Sequence, residues 1–419
     1  MTVGVKNMQK AFLFGFVGVF LYGCAVMGIW KDDDMTSPLN VFPGDYPVRL
    51  VSAEQDPVFK DMLRPQERGW LGSDAAHSIP LADGRILWLF GDTLIGTMTR
   101  GARDVGAEFI HNTIGIQEIK DSLPGTMRYY WETREEKSFD FFPPQVEKHY
   151  IKNPKQVFNW PTMGFMLQGE LFILAYRLEV GENDQCVIPT TLIRVPNPRD
   201  SPDLWIKKSF DLGLGNDHQG FLSAVYIKEP YVYFLGYDDQ EEKDWARRAV
   251  LARAKISDIM GGRLGEVFEF WVKGQDGPKW GTEPKNLVTL FEPGITETDI
   301  QYVPEWGLYF CTTYSYEHPN IYITVAPELT GPWTRPVSIY KVPEHARSFP
   351  TSSYAARPHP EFSTKPGELI ISYATNINTM DLDPLFIKEG AEIYYPRFIR
   401  VQFELGGKSL VPEIKGCKP

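Results

Sequence analysis

The chain has 419 residues, of which 43 are Lys or Arg and 54 Asp or Glu, for a formal net charge of −11, and 14% are aromatic. An acidic surface repels polyphosphate, which argues against nucleic acid as a partner, and neither a phosphate-cradling glycine loop nor a zinc-spaced Cys/His cluster is present. The 33 prolines and scarce helical periodicity favour many short strands, in one large all-β domain or two smaller ones.

In chain order, Lys6 and Lys10 precede an uncharged apolar run from Ala11 to Trp30, so residues 1–30 read as a targeting segment. Leu21-Tyr22-Gly23-Cys24 resembles a bacterial lipobox, in which Cys24 would be lipidated. An uncleaved anchor is the rival, because about 20 apolar residues just span a bilayer. Either way the rest is expected outside the cytoplasm, at the bacterial cell envelope. Residues 31–59 read as tether and lead-in, 60–405 as the folded domain and 406–419 as a tail. Cys186, Cys311 and Cys417 show no disulfide framework, and Cys311, inside an apolar strand, reads as a small core residue.

The first hairpin is the most informative stretch. Trp70 to Asp74 leads into Ala75–Leu81, the turn Asp83-Gly84, and Arg85–Thr93, with His111-Asn112-Thr113 following. A two-residue turn would set Asp74 opposite Thr93 and Asp92 opposite Ala75, placing two acids side by side at the open end of the hairpin. Strict alternation points them to opposite faces, so they converge only if the strands twist or bulge, with Gly91 the natural place.

The same unit recurs. Trp160–Leu167 and Glu170–Arg177 flank Gln168-Gly169; Gly220–Ile227 and Tyr231–Tyr237 flank Lys228–Pro230, with Ala249–Ala254 beyond. Glu297–Val303 and Leu308–Tyr314 flank Pro304–Gly307, followed by Ile321–Ala326; Ser352–Arg357 and Glu368–Asn376 are closed by Tyr395–Leu405. Five like units in one order argue for radial repetition, a five-bladed β-propeller, over a Greek-key sandwich. The apolar second strands fit burial on both faces, and Val48–Ala53 is expected to pair with the last unit and close the ring.

Projected onto one opening, the units gather Asp74, Asp92, Glu297 and Asp299 as candidate acids. Around them come Trp70, His77, Asn112, Trp160 (set opposite Arg177), Arg177, Tyr354, His359 and Glu361 as candidate substrate contacts. Sugar sites use this mixture: carboxyls for proton transfer, aromatic faces for C–H surfaces, polar groups for hydroxyls. Each residue has a plainer role: Asp92 as a turn aspartate, Trp160 as packing, His359-Pro360-Glu361 as a loop cap, and one of Glu297 and Asp299 as a solvated acid. Arg253, a charge in an apolar strand, wants a buried carboxylate.

Gly69–Thr93, Glu297–Val303, Ala326–Trp333 and His359–Glu361 with Ile371–Asn376 together resemble secreted five-bladed propeller domains of formerly unknown function, some of them glycoside hydrolases cutting D-arabinan. These are similar in architecture to family 43 arabinanases and xylosidases. The resemblance spans about residues 60 to 405 and implies hydrolysis of a furanoside by paired carboxylates matching Asp74 and Asp92. Gly220–Ala224 carries no acid, so a family 43 triad does not transfer whole; Glu297 or Asp299 would have to serve.

The expected function is an exported, monomeric hydrolase of a poly- or oligosaccharide that needs no cofactor. A non-catalytic glycan-binding lipoprotein is the alternative. A third reading makes the acids ligands of a structural calcium in the channel.

Overall fold

The computed structural model describes residues 48–119, 123–145, 157–180, 185–216, 218–239, 247–314, 319–345, 348–379 and 381–405. The targeting segment, the tether as far as Pro47, the tail from 406, Cys24 and Cys417 lie outside these residues.

The chain is nearly all β. Five antiparallel sheets follow one another; in the first four the strands lie in sequence order from one edge to the other, and the fifth carries the earliest strand on its outer edge. Sheet I comprises His77–Pro80, Ile86–Phe90, Thr113–Glu118 and Thr126–Tyr130. Sheet II comprises Val157–Leu167, Glu170–Val180, Gln185–Val195 and Lys208–Asp211. Sheet III runs from Gln219–Lys228 through Tyr231–Asp238, Arg248–Lys255 and Glu269–Gly274 to Gly277–Gly281. Sheet IV comprises Ile300–Val303, Leu308–Tyr314, Asn320–Ala326 and Val337–Lys341. Sheet V orders Thr351–Pro358, Glu368–Ile377, Arg397–Leu405 and, outermost, Val48–Gln55. The lead-in therefore does pair with the last unit, Val48 opposite Leu405 and Gln55 opposite Ile399.

Second strands are the apolar ones because both their faces are covered. Every residue of Ile86–Phe90, Leu308–Tyr314 and Glu368–Ile377 is buried. Cores form between successive sheets: Leu87 and Ile114 of I with Ile173 of II, Leu174 of II with Phe234 of III, and Phe310 of IV with Ile371 of V. Trp88 and Phe90 of sheet I pack with Ile370 and Phe398 of sheet V, so the last sheet meets the first. Cys311 is fully buried in this packing. Arg253 pairs with Glu269 at 2.8 Å, but that carboxylate is 38% exposed rather than buried; the guanidinium also lies 4.0 Å from the Tyr231 and Trp280 rings.

The first hairpin differs from expectation by one residue. Leu81 N–H bonds Arg85 C=O and Ile79 faces Leu87, so the loop is Ala82-Asp83-Gly84, three residues rather than two. Ser73, not Asp74, therefore faces Thr93. Nor is there an open end at the acids. The two strands continue past them as Arg68–Ser73 and Thr93–Thr99, in a sixth sheet with Ala102–Arg103 and Glu108–Ile110. Asp74 and Asp92 sit at the break between the two sheets, where Ala75 takes φ 52°. Sheet V repeats the device: Ala355 also has φ 52°, beside a register shift between Tyr354 and Arg357.

Candidate active site

At the break, Asp74 N–H donates to Asp92 C=O (3.1 Å) and Gly91 N–H donates to Asp74 C=O (3.2 Å). The acids are thus direct cross-strand neighbours, and residues opposite one another on paired strands project to the same face, so the register itself brings the two side chains together. Gly91 is required by close approach: a Cβ there would lie 2.4 Å from Asp74 Oδ1 and 2.7 Å from Trp160 Nε1. Thr93 Oγ1 donates to Gly91 C=O (2.7 Å) and Tyr394 OH donates to Asp92 C=O (2.9 Å), which fixes the turn behind the acids. Gly72 has φ 128°, and any Cβ would fall 2.0 Å from the Tyr394 carbonyl oxygen. Arg103, buried, ties this region together by donating to the carbonyls of Leu71, Leu385, Gly390 and Ile393.

Asp74, Asp92 and Glu297 are 2%, 3% and 8% exposed. Asp74 Oδ1 is buried without a hydrogen-bond partner. Burial first, then the charges of Asp92 and Glu297, push the Asp74 carboxyl well above its ordinary range. Burial also lifts Asp92, but the His111 ring, with Nδ1 3.1 Å from Asp92 Oδ1, pulls in the other direction. Burial raises Glu297 too, opposed by Arg357. Tyr354 and Tyr394 stand beside Asp74; Tyr176 stands near Tyr237, Arg247 and Glu297. The rim retains exposure at Trp160, His111, Tyr237 and Arg247. Sheet III supplies an aromatic ring and a cation here, with Arg247 4.5 Å over the Tyr237 ring, where its first strand has no acid.

Not every residue expected at this opening is there. Trp160 faces Tyr176, and it is Asn159 that faces Arg177; the bulge in the first strand follows at Pro161. Arg177 instead pairs with Asp211 at 2.9 Å. Trp70 is fully buried, stacked on Tyr129 at 4.6 Å, so it is core and has no face for a sugar. Asn112 is also fully buried: its Oδ1 accepts from Phe142 N–H (2.7 Å) and its Nδ2 donates to Asn159 C=O (2.9 Å). His359, 1% exposed, is bound between Ser78 Oγ and Ser372 Oγ, and burial holds it neutral.

Asp299, His77 and Glu361 gather elsewhere. With Ser78, Gln301 and Met163 they line a second cavity of about 370 Å³, toward the other ends of the first strands. Asp299 is buried rather than solvated, accepting from Ile300 N–H (2.8 Å) and Gln301 Nε2 (3.0 Å). Burial raises both Asp299 and Glu361 to about 7. His77 donates Nε2–H to Gly164 C=O (3.0 Å) and is held neutral, lowered to about 3 by burial and by Arg357. Arg357, fully buried, donates to Thr298 C=O (2.6 Å) and Thr162 C=O, and its charge acts on both Glu297 and Asp299.

A family model described as a domain of unknown function, DUF5005, matches residues 56–403. The chain belongs to this family. A solved putative hydrolase from Bacteroides ovatus ATCC 8483 is similar to this DUF5005 chain at 17% identity with a TM-score of 0.66, over 90% of this chain and 96% of that one. That likeness is one of fold. Looser likenesses are to a thermostable family 43 glycoside hydrolase (11% identity, TM-score 0.41, 86% of this chain and 98% of that one) and to an α-L-arabinanase from Penicillium chrysogenum complexed with arabinobiose (11%, 0.37, 78% and 82%). No curated protein matches.

Sequence reasoning on this DUF5005 chain gave no role to His111, Asp140, Tyr176, Tyr237, Arg247 or Tyr394. His111 carried a usable signal: it lies two residues before the third strand of sheet I, which starts where the second strand ends, with Thr113 opposite Phe90. Asp140 and Tyr394 lie outside any strand and have no periodicity to betray them.

Proposed function

We propose that this chain is a glycoside hydrolase whose five successive sheets form a five-bladed propeller, with Asp74 and Asp92 as its catalytic carboxylates and Glu297 as a third acid beside them. One observation carries the reading: two aspartates paired across a broken ribbon, both buried, one with an unpartnered oxygen against Gly91 and the exposed rim of Trp160. Hydrolysis of a glycosidic bond requires one carboxyl that is protonated at working pH and another that is not. Asp74, pushed up by burial and two acidic neighbours, suits the first role, giving its proton to the departing oxygen. Trp160, Tyr237 and Arg247 offer the stacking and polar contacts a sugar chain requires. Arabinofuranosyl linkages are the favoured target, on the resemblance noted above.

Export is part of the proposal. Lys6, Lys10, the apolar run and Leu21–Cys24 support a chain attached at the cell envelope by a lipid on Cys24 or by an anchor. Palmitate labelling of the intact chain that vanishes in Cys24→Ser supports lipidation; label retained in that variant excludes Cys24 as its site.

Asp74→Asn tests the enzymatic reading. It keeps the shape of the site but cannot donate the proton, so turnover should fall by roughly 10²–10⁴-fold while glycan is still retained. Unchanged turnover removes Asp74 from the chemistry.

A further inference from the structure

We propose that His111 is a positioning residue that fixes Asp92 as the ionised member of the pair and leaves Asp74 as the proton donor, an assignment that rests on the hydrolase reading above. Three elements hold the ring. Nδ1 lies 3.1 Å from Asp92 Oδ1 at the break in the ribbon. The face stacks on Phe158 of Val157–Leu167, 3.5 Å between centroids and 10° from parallel, and Phe109 of Glu108–Ile110 meets it edge-on at 5.3 Å. The backbone is held as well: His111 N–H donates to Asp140 Oδ1 at 2.7 Å. The bonds of Asn112 to Phe142 and Asn159 lock the next residue to the same two segments. The buried Asn112, expected from the sequence to contact substrate, instead anchors the segment that carries His111.

The charged groups facing the imidazole are Asp92 from the ribbon and Asp140 from the segment after Lys137–Phe139. Both favour the imidazolium, and together they outweigh its burial. The side chain is 20% exposed. Asp74 has acids and phenols as neighbours instead. A single proton on the pair therefore resides on Asp74. During turnover it passes to the glycosidic oxygen as the C–O bond breaks, and one water is consumed overall. The Asp92 carboxylate either deprotonates that water or attacks the anomeric carbon before water releases the sugar. His111 keeps its own proton throughout.

The consequence is a low acid limb. Without the imidazolium Asp92 ionises at higher pH, so the acid limb of kcat/KM moves upward, while the alkaline limb, set by Asp74, does not fall. The test is the pH profile of kcat/KM on a cleaved glycan for wild type, His111→Gln (a neutral donor) and His111→Phe (a ring that still stacks). It is joined by an NMR titration of the His111 imidazole in wild type and Asp92→Asn. Expected are an acid limb raised by about one pH unit or more in both variants, and an imidazole that titrates above free histidine and drops when Asp92 is neutralised. A profile lowered uniformly, with its acid limb unmoved, overturns the proposal and leaves His111 merely structural. So does an imidazole whose titration ignores Asp92→Asn. Absence of cleavage by wild type at every pH removes the hydrolase reading itself and the role of His111 with it, an outcome distinct from either.

Discussion

At the scale of single residues, the site holds function against stability. A buried carboxyl with an unpartnered oxygen and two acidic neighbours is costly once ionised, so Asp74→Asn should raise the melting temperature at neutral pH even as it abolishes turnover. Calorimetry near pH 7 checks this; a lowered melting temperature would mean that Asp74 is a structural anchor. Gly91→Ala should act in the opposite way. Its Cβ must displace Asp74 or the Trp160 indole, so turnover should drop at least tenfold with the fold retained, read from kinetics beside circular dichroism. The nearness of the two aspartates was legible in the sequence because a Gly-containing turn between apolar runs limits which residues can meet to within one position of register. Trp70 and His359 were misleading for a physical reason. An aromatic or a histidine near a strand end has the same one-dimensional signature whether it faces a channel or, like these two, is wrapped by Tyr129 or by Ser78 and Ser372.

At the scale of elements, a single residue of register decides the site. The Asp83-Gly84 signal is real, but Ala82 joins the loop, and that shift brings Asp74 opposite Asp92. Sequence alone could not choose, because two- and three-residue loops both accept a glycine in the left-handed region. The Gln168-Gly169 turn did read correctly: Leu167 faces Glu170, and both turn residues have positive φ. The device at Ala75 and Ala355 was hidden because alanine gives no hint of a left-handed conformation. The expected pairing of Val48–Ala53 with the last unit is met, in a strand that runs on to Gln55. Removing Val48–Gln55 exposes the edge of Arg397–Leu405 and uncovers Ile399 and Phe403. A chain starting at Pro57 should melt at least 10 °C lower or aggregate, seen by thermal denaturation with light scattering; an unchanged transition would show the strand to be dispensable.

At the scale of the whole molecule, the order of the five sheets followed from repetition in the sequence, whereas the division of the acids between two places did not. Glu297 and Asp299 are two residues apart and share a face on paper, yet Glu297 joins Asp74 and Asp92 while Asp299 lines the second cavity with Glu361, with Arg357 acting on both. That second cavity should govern acid stability. Asp299 and Glu361 are raised by burial from ordinary values of 3.8 and 4.5 to about 7, so the folded state binds protons that the unfolded chain releases. Their contribution is full below the unfolded values and is lost as pH rises toward 7. Denaturant titrations should therefore show stability falling between pH 4 and 7, by at most about 4 kcal/mol for Asp299, and Asp299→Asn should flatten that decline. An equally steep decline in the variant would place the titrating groups elsewhere.

The central claim is tested most directly by incubating the chain from Val48 onward with a panel of arabinans, xylans and other furanose- and pyranose-containing glycans, and reading released sugars by chromatography. The account predicts products from a furanose-containing polymer, lost in both Asp74→Asn and Asp92→Asn. A polymer that is retained but never cut, equally by wild type and both variants, would contradict it and leave a glycan-binding protein whose aspartates are structural.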